Sequence, residues 1–195
     1  MILLRKTNNN ALKGLIIFLI LIIHILAFFF LNRNTLYSDE YIHYDQINRF
    51  LTGKLTLHPG LTIIPTFHIV IAFFGNIFSQ SSITAIRFIV FILDSLSLFI
   101  FYLVAKTINS ENSLLKTLQF YFLPIIYPFF FIIYTDIFSL SLLLISTYYV
   151  LKNKNFLSFV FAFLSILVRQ NNIVWYCFIF FLIYIRTNDC SLNKN

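Results

Sequence analysis

The sequence predicts an all-α, polytopic membrane protein, and three observations carry that reading. The chain is 59% hydrophobic and 11% charged, with a mean hydropathy of +0.87, which leaves too little polar surface to coat a water-soluble globule of its size. Apolar runs of roughly bilayer length recur along most of the chain. The basic residues sit at the ends of those runs instead of lining one soluble face, so the formal charge of +7 reads as membrane orientation and no nucleic-acid partner is expected.

The first run, Leu12 to Leu31, is 20 residues long, and at about 1.5 Å per helical residue it crosses the roughly 30 Å hydrocarbon layer. Arg5, Lys6 and Lys13 give it a basic flank like that of a signal peptide, but it is too long and no A-x-A-like site follows. It reads as a retained signal anchor. A mixed polar segment from Asn32 to Gly60 comes next, then apolar runs at 61–78, 83–105, 117–134, 136–151, 156–168 and 173–185. Pro124 and Pro128 are expected to kink the span over 117–134.

The positive-inside rule decides whether 61–78 crosses. If it does not, Arg5, Lys6, Lys13, Lys106, Lys116, Lys152, Lys154, Arg186 and Lys194 share one side, nine residues against Arg33, Arg49, Lys54, Arg87 and Arg169 on the other. If it crosses, the later loops exchange sides and the cytoplasmic count falls to five. The first arrangement satisfies the rule, so 61–78 is expected to lie in the outer interface, with Pro65 near its start. That leaves about six spans plus two interfacial helices in the first non-cytosolic loop, with both termini cytosolic. No internal repeat, flexible linker or Gly-rich phosphate loop breaks the pattern, so residues 1–195 read as a single membrane domain with no nucleotide-driven motor. Cys177 lies in an apolar run and Cys190 in the polar tail, a poor setting for a mutual disulfide.

The same topology places Asp39-Glu40, the Tyr134-Thr135-Asp136 turn and Arg169-Gln170-Asn171-Asn172 on one side. In YSDEYIHYDQINRFLTGKL, Tyr37, Tyr41, Tyr44, Ile47 and Leu51 recur at helical spacing, while Asp39, His43 and Gln46 fall on a different face. Two readings of the acidic pair stand side by side. A carboxylate beside a membrane surface and near a histidine can act as a general base. Equally, Ser38-Asp39 can N-cap the helix, with first-turn acids complementing its dipole. Asp39, Glu40 and His43 lack the paired His or Cys ligands of a zinc site, so no metal is expected. Arg169 interrupts two apolar runs, where an arginine faces a cavity or a partner, and its planar fork suits a phosphate. Arg87, one turn inside a span, is a weaker candidate for the same role. Asp94 is an unusual charge at mid-span, and His24 and His68, in apolar surroundings, read as packing or hydrogen-bonding residues rather than ligands.

Taken together, Tyr37-Ser38-Asp39-Glu40-Tyr41-Ile42-His43 with Gln46 and Arg49-Phe50, then Thr62-Ile63-Ile64-Pro65, Arg87-Phe88-Ile89, and Phe161 through Trp175 ending in VRQNNIVW, resemble a known family. In this order they are similar to the α-1,2-glucosyltransferases that add the terminal glucose to the dolichol-linked oligosaccharide of protein N-glycosylation. The resemblance implies a multi-pass, GT-C-like bundle in the endoplasmic-reticulum membrane with a luminal active face. Its donor would be dolichyl phosphate glucose and its acceptor the diglucosylated dolichyl-diphosphate oligosaccharide, with membrane lipid around both. A β-linked donor giving an α-linked product implies inversion by single displacement, with no cofactor or essential metal. Asp39, or Glu40 as its alternative, would be the base, and His43, Arg87, Arg169, Gln170 and Asn171 would bind substrate. Family members continue through a second set of membrane helices, so this chain is expected to correspond to the amino-terminal part of that architecture. The alternatives are another lipid-phosphate-sugar transferase, such as a mannosyltransferase, or a non-catalytic membrane scaffold or transporter fragment.

Overall fold

The computed structural model describes residues 2–32 and 35–192, with side chains over 14–32 and 35–186. Arg33 and Lys194, and the side chains of Arg5, Lys6, Lys13 and Cys190, lie outside the described residues. Helices dominate and no strand occurs among the described residues. Two compact units divide the chain, residues 1–35 and 36–195. The first is one long helix, α1 (Ile2–Leu31), whose apolar part Gly14–Leu31 is long enough to cross a membrane.

The second unit carries the remaining helices: α2 (Glu40–Leu51), α3 (Thr66–Ile77), α4 (Ile83–Ile108), α5 (Ser113–Tyr121), α6 (Asp136–Leu151), α7 (Asn155–Val168) and α8 (Ile173–Leu192). The longest of its apolar helices is α4, opened by the Ser82 hydroxyl, which accepts from the Ala85 N–H at 3.3 Å, and carrying Lys106 in its last turn. Its 26 residues give about 39 Å, enough to span the hydrocarbon layer. Helices α3, α6 and α7 are apolar but shorter than an ideal span.

The run 61–78 is helical only from Thr66. Residues 61–65 are irregular, and Pro65 sits at the N-cap of α3, where its missing N–H costs nothing. The run 117–134, expected as one kinked span, is not one helix. Helix α5 stops at Tyr121, a turn holds Pro124, and a 3-10 turn at Tyr127–Phe131 carries Pro128 at its start. This broken stretch still makes the return journey. The Ile133 N–H bonds the Glu40 carboxylate at 2.9 Å, and that carboxylate is held by Arg87 near the start of α4. Residues 109–133 therefore run back along α4 for about 32 Å, from its last residue to Arg87.

Helices α6 and α7 form a tight hairpin through a turn in which Asn153 takes a left-handed φ of 58°. The Ser146 hydroxyl bonds both the Ser158 carbonyl and the Ser158 hydroxyl, at 2.8 and 2.9 Å, joining the two buried faces. On α8, Arg186 donates to the Val150 carbonyl at the far end of α6 at 2.8 Å. The starts of α2, α4, α6 and α8 and the end of α7 thus gather at one end of the unit.

Its core is Ile47 of α2, Phe67, Ile71 and Ala72 of α3, Ile86, Ile89 and Val90 of α4, Ile133, and Val168 of α7. A second cluster of Val150, Ala162, Ile179 and Ile183 ties α6, α7 and α8 at the opposite end. Large apolar side chains such as Phe73, Phe88, Phe99, Phe163 and Phe181 point outward, as expected where lipid is the solvent.

Candidate active site

The tyrosine stripe of the sequence packs only through its last three residues, Tyr44, Ile47 and Leu51, which reach the core. Tyr37 and Tyr41 are exposed, while Glu40, His43, Gln46 and Ile47 are buried. Polar side chains go inward here because each finds a partner. Gln46 Oε1 accepts from the His58 N–H at 2.6 Å and its amide reaches the Thr56 carbonyl at 3.4 Å, which pins the loop after α2. Glu40 has the strongest set. Arg87 donates through Nε to Oε1 at 2.7 Å and through Nη2 to Oε2 at 2.6 Å, and the N–H groups of Ile133 and Tyr37 complete the shell at 2.9 and 3.0 Å. A carboxylate offers about four lone-pair positions, so these four donors fill it. Both side chains are sealed from solvent, at 0% and 1% exposed.

Asp39 faces the other way. It occupies the N-cap position of α2, yet its side chain makes no capping hydrogen bond. It is exposed, with the Ser38 hydroxyl at 3.4 Å. The preceding Ser38 has a left-handed φ of 42°, which turns the chain abruptly between the exposed loop and the helix. Asp39 lines a cavity of about 360 Å³ with Ile42 and His43 of α2, the Gly60–Ile63 segment, the Tyr134-Thr135-Asp136 turn, and Arg169. Gly60 is confined there: a Cβ would lie 3.1 Å from Ile42 Cδ1 and 3.3 Å from the His58 ring.

His43 forms the cavity's inner wall, 8% exposed, stacked on His68 and edge-on to Tyr134. Its Nδ1 lies 2.9 Å from His68 Nε2. Burial holds the His43 pKa below the usual histidine range; Asp39, Asp136 and Glu40 pull upward and Arg169 downward, without outweighing the desolvation. Fully buried His68 is pushed down to about 3 by burial and by His43.

Arg169 ends α7 in extended backbone and pairs with Asp136 at the start of α6, both about one-third exposed. This pair also borders a second cavity of about 470 Å³, whose apolar wall includes Ile126, Phe129, Leu140, Leu143 and Trp175. Asn171 and Asn172 line it as well, and buried Asn172 is fixed by Ser139 Oγ at 2.5 Å and the Ser165 carbonyl at 3.1 Å.

Of the residues singled out from sequence, Asp39, His43 and Arg169 line one cavity, and Asn171 lines the adjoining one across the Arg169–Asp136 pair. Glu40 and Arg87 are joined to each other behind the wall, and exposed Gln170 lines neither cavity. The sequence gives Tyr134 and Asp136 no role beyond a turn on the same side as Asp39, and it reads His68 as a packing or hydrogen-bonding residue without showing that its partner is His43. Mid-span Asp94 and Ser97 are buried on α4 and neither carboxyl oxygen is hydrogen-bonded.

No curated protein and no solved structure matches the chain. The model of the DIE2/ALG10 family matches residues 33–195, which takes in α2 through α8 and both cavities. The chain therefore belongs to the DIE2/ALG10 family, the dolichyl-phosphate-glucose α-1,2-glucosyltransferases of lipid-linked oligosaccharide synthesis.

Proposed function

We propose that this chain transfers glucose from dolichyl phosphate glucose to the diglucosylated dolichol-linked oligosaccharide in α-1,2 linkage, with inversion, at the luminal face of the endoplasmic-reticulum membrane. The observation that carries the reading is the uncapped, exposed Asp39 carboxylate in the same cavity as Arg169. In this mechanism Asp39 takes the proton of the acceptor hydroxyl as that oxygen attacks the anomeric carbon. The bond from that carbon to phosphate breaks, and dolichyl phosphate leaves with its electron pair toward Arg169. Glu40 has no open lone pair with which to accept a proton, so the base role goes to Asp39, and Glu40 with Arg87 serves as the strut that holds α2 on α4.

The two adjoining cavities suit the two halves of a lipid-linked sugar. The cavity with Asp39 accommodates the hexose, the apolar wall of the other from Ile126 to Trp175 the first isoprene units, and Arg169, which lines both, stands where the phosphate would lie. Asp136 then acts as a placeholder that phosphate displaces from Arg169.

Complementation of cells lacking the terminal glucosyltransferase tests the proposal, with the size of the accumulated lipid-linked oligosaccharide as readout. Expression of the chain should restore the fully glucosylated species, and Asp39→Asn should lower transfer by about 10²–10⁴-fold at unchanged protein level. Full rescue by Asp39→Asn would remove Asp39 as base.

A further inference from the structure

Asn172 carries an inference that rests on the glycosyl-transfer reading and concerns how the site recognises its sugar. Two rungs tie the end of α7 to the start of α6. One is Arg169 on Asp136, and the next, three residues further along each segment, is Asn172 on Ser139 at 2.5 Å. The Asn172 N–H bonds the Arg169 carbonyl at 3.0 Å, which closes a 3-10 turn and sets the two side chains one turn apart against the second cavity. The Asn172 amide has a single orientation. The Ser165 carbonyl has no proton to give, so nitrogen must face it at 3.1 Å, and the other N–H of that nitrogen goes to Ser139 Oγ. Both donors are thereby used inside the protein. No described residue donates to Oδ1, and protein does not seal it, so it stands as an acceptor on the cavity wall.

We infer that Asn172 is a specificity-determining residue: its Oδ1 accepts a hydrogen bond from the 2-hydroxyl of the donor glucose while Arg169 holds the phosphate. The chemistry of the donor lipid selects that hydroxyl. An amide oxygen pairs only with a donor, so neither the phosphate nor the ring oxygen beside the anomeric carbon satisfies it, and an isoprene chain has no O–H or N–H to offer. The hydroxyl on the carbon next to the anomeric centre does. A glycosyl phosphate seated with its phosphate on Arg169 therefore turns the edge carrying C1 and C2 toward Asn172. Glucose holds this hydroxyl equatorial and mannose holds it axial, so an acceptor fixed by two internal hydrogen bonds separates two hexoses that differ nowhere else. A mannosyl donor in the same pose leaves Oδ1 desolvated and unpaired.

Binding of short-chain polyprenyl phosphate sugars to the purified chain in nanodiscs tests this without requiring turnover. The wild type should bind the glucosyl lipid about tenfold more tightly than its 2-deoxy, 2-deoxy-2-fluoro and mannosyl counterparts, the scale of one hydrogen bond. The fluoro sugar reports the direction of that bond, because fluorine at C2 has no proton to donate. Asn172→Leu should bind all of these lipids equally. Each preference is a ratio within one protein, so a general weakening from the broken rung cancels, and the wild-type series stands even if the variant does not fold. A 3-deoxy lipid, compared with glucose, should show the same ratio in wild type and variant. Equal wild-type affinity for the glucosyl and fluoro lipids, a C2 preference that survives in Asn172→Leu, or binding to none of the lipids overturns the inference. A wild type with the expected preference but no glucosyl transfer would instead count against the function proposed above.

Discussion

At the scale of residues, the site depends on adjacent acids with opposite fates. Glu40 is consumed by Arg87 and two backbone N–H groups, while Asp39, one residue earlier, keeps its carboxylate in the cavity. Arg87→Met leaves a buried carboxylate without its counter-charge and should destabilise the second unit by about 3–5 kcal/mol, measured by thermal unfolding in detergent. Adding Glu40→Leu to Arg87→Met should recover part of that loss, because the stranded charge is gone. The histidine pair makes a pH prediction of definite sign. His68 has a folded-state pKa near 3 against about 6.5 when free, so the unfolded chain binds the extra proton between those values. Its stabilising contribution is complete above about pH 6.5 and declines as pH falls toward 3. The melting temperature should therefore drop on acidification below about pH 6.5, and His68→Leu should flatten that dependence.

At the scale of elements, the cavity is held open by how α2, α3 and the loop between them are fastened. Gly75 is the closest approach: a Cβ there would sit 2.9 Å from Leu51 Cδ2 and 3.1 Å from the Gln80 carbonyl. The leucine tip can swing aside, but the carbonyl cannot, since it belongs to the backbone that leads into α4. Alanine would gain about 1 kcal/mol of helix propensity, yet the clash should prevail. Gly75→Ala is expected to lower stability by about 1–2 kcal/mol in the same unfolding measurement. The α5 region shows the converse. Its run of apolar residues reads as a single span, but Pro124 and Pro128 remove donors and restrict their predecessors, so the stretch crosses back along α4 as two short pieces.

At the scale of the whole molecule, the charge count and the geometry address different parts of one question. The count assigns sides from Lys and Arg at loop ends, and the coordinates of the second unit put the starts of α2, α4, α6 and α8 at a common end without reference to any membrane. Both bring Asp39, Asp136 and Arg169 together. A glycosylation acceptor inserted near Ser81 should be modified in microsomes, and one near Asn112 should not. Modification at Asn112 alone would reverse the assigned orientation.

The sequence by itself determined the helical membrane character, the family motifs and the short roster from which the cavity residues come, because hydropathy and local spacing are properties of contiguous residues. It also singled out the segment from Tyr37 to His43, which supplies Asp39, Ile42 and His43 to the cavity. What it left open was which of Asp39 and Glu40 faces the cavity. Neighbouring residues on a helix project about 100° apart, so one of the two acids had to turn inward, and nothing local says which. The answer lies 47 residues away in Arg87 and 93 residues away at the Ile133 amide, which claim Glu40 and leave Asp39 to the cavity. His68 was illegible for the same reason: its partner is 25 residues distant, and only packing α3 against α2 makes a buried histidine into a neighbour of the site.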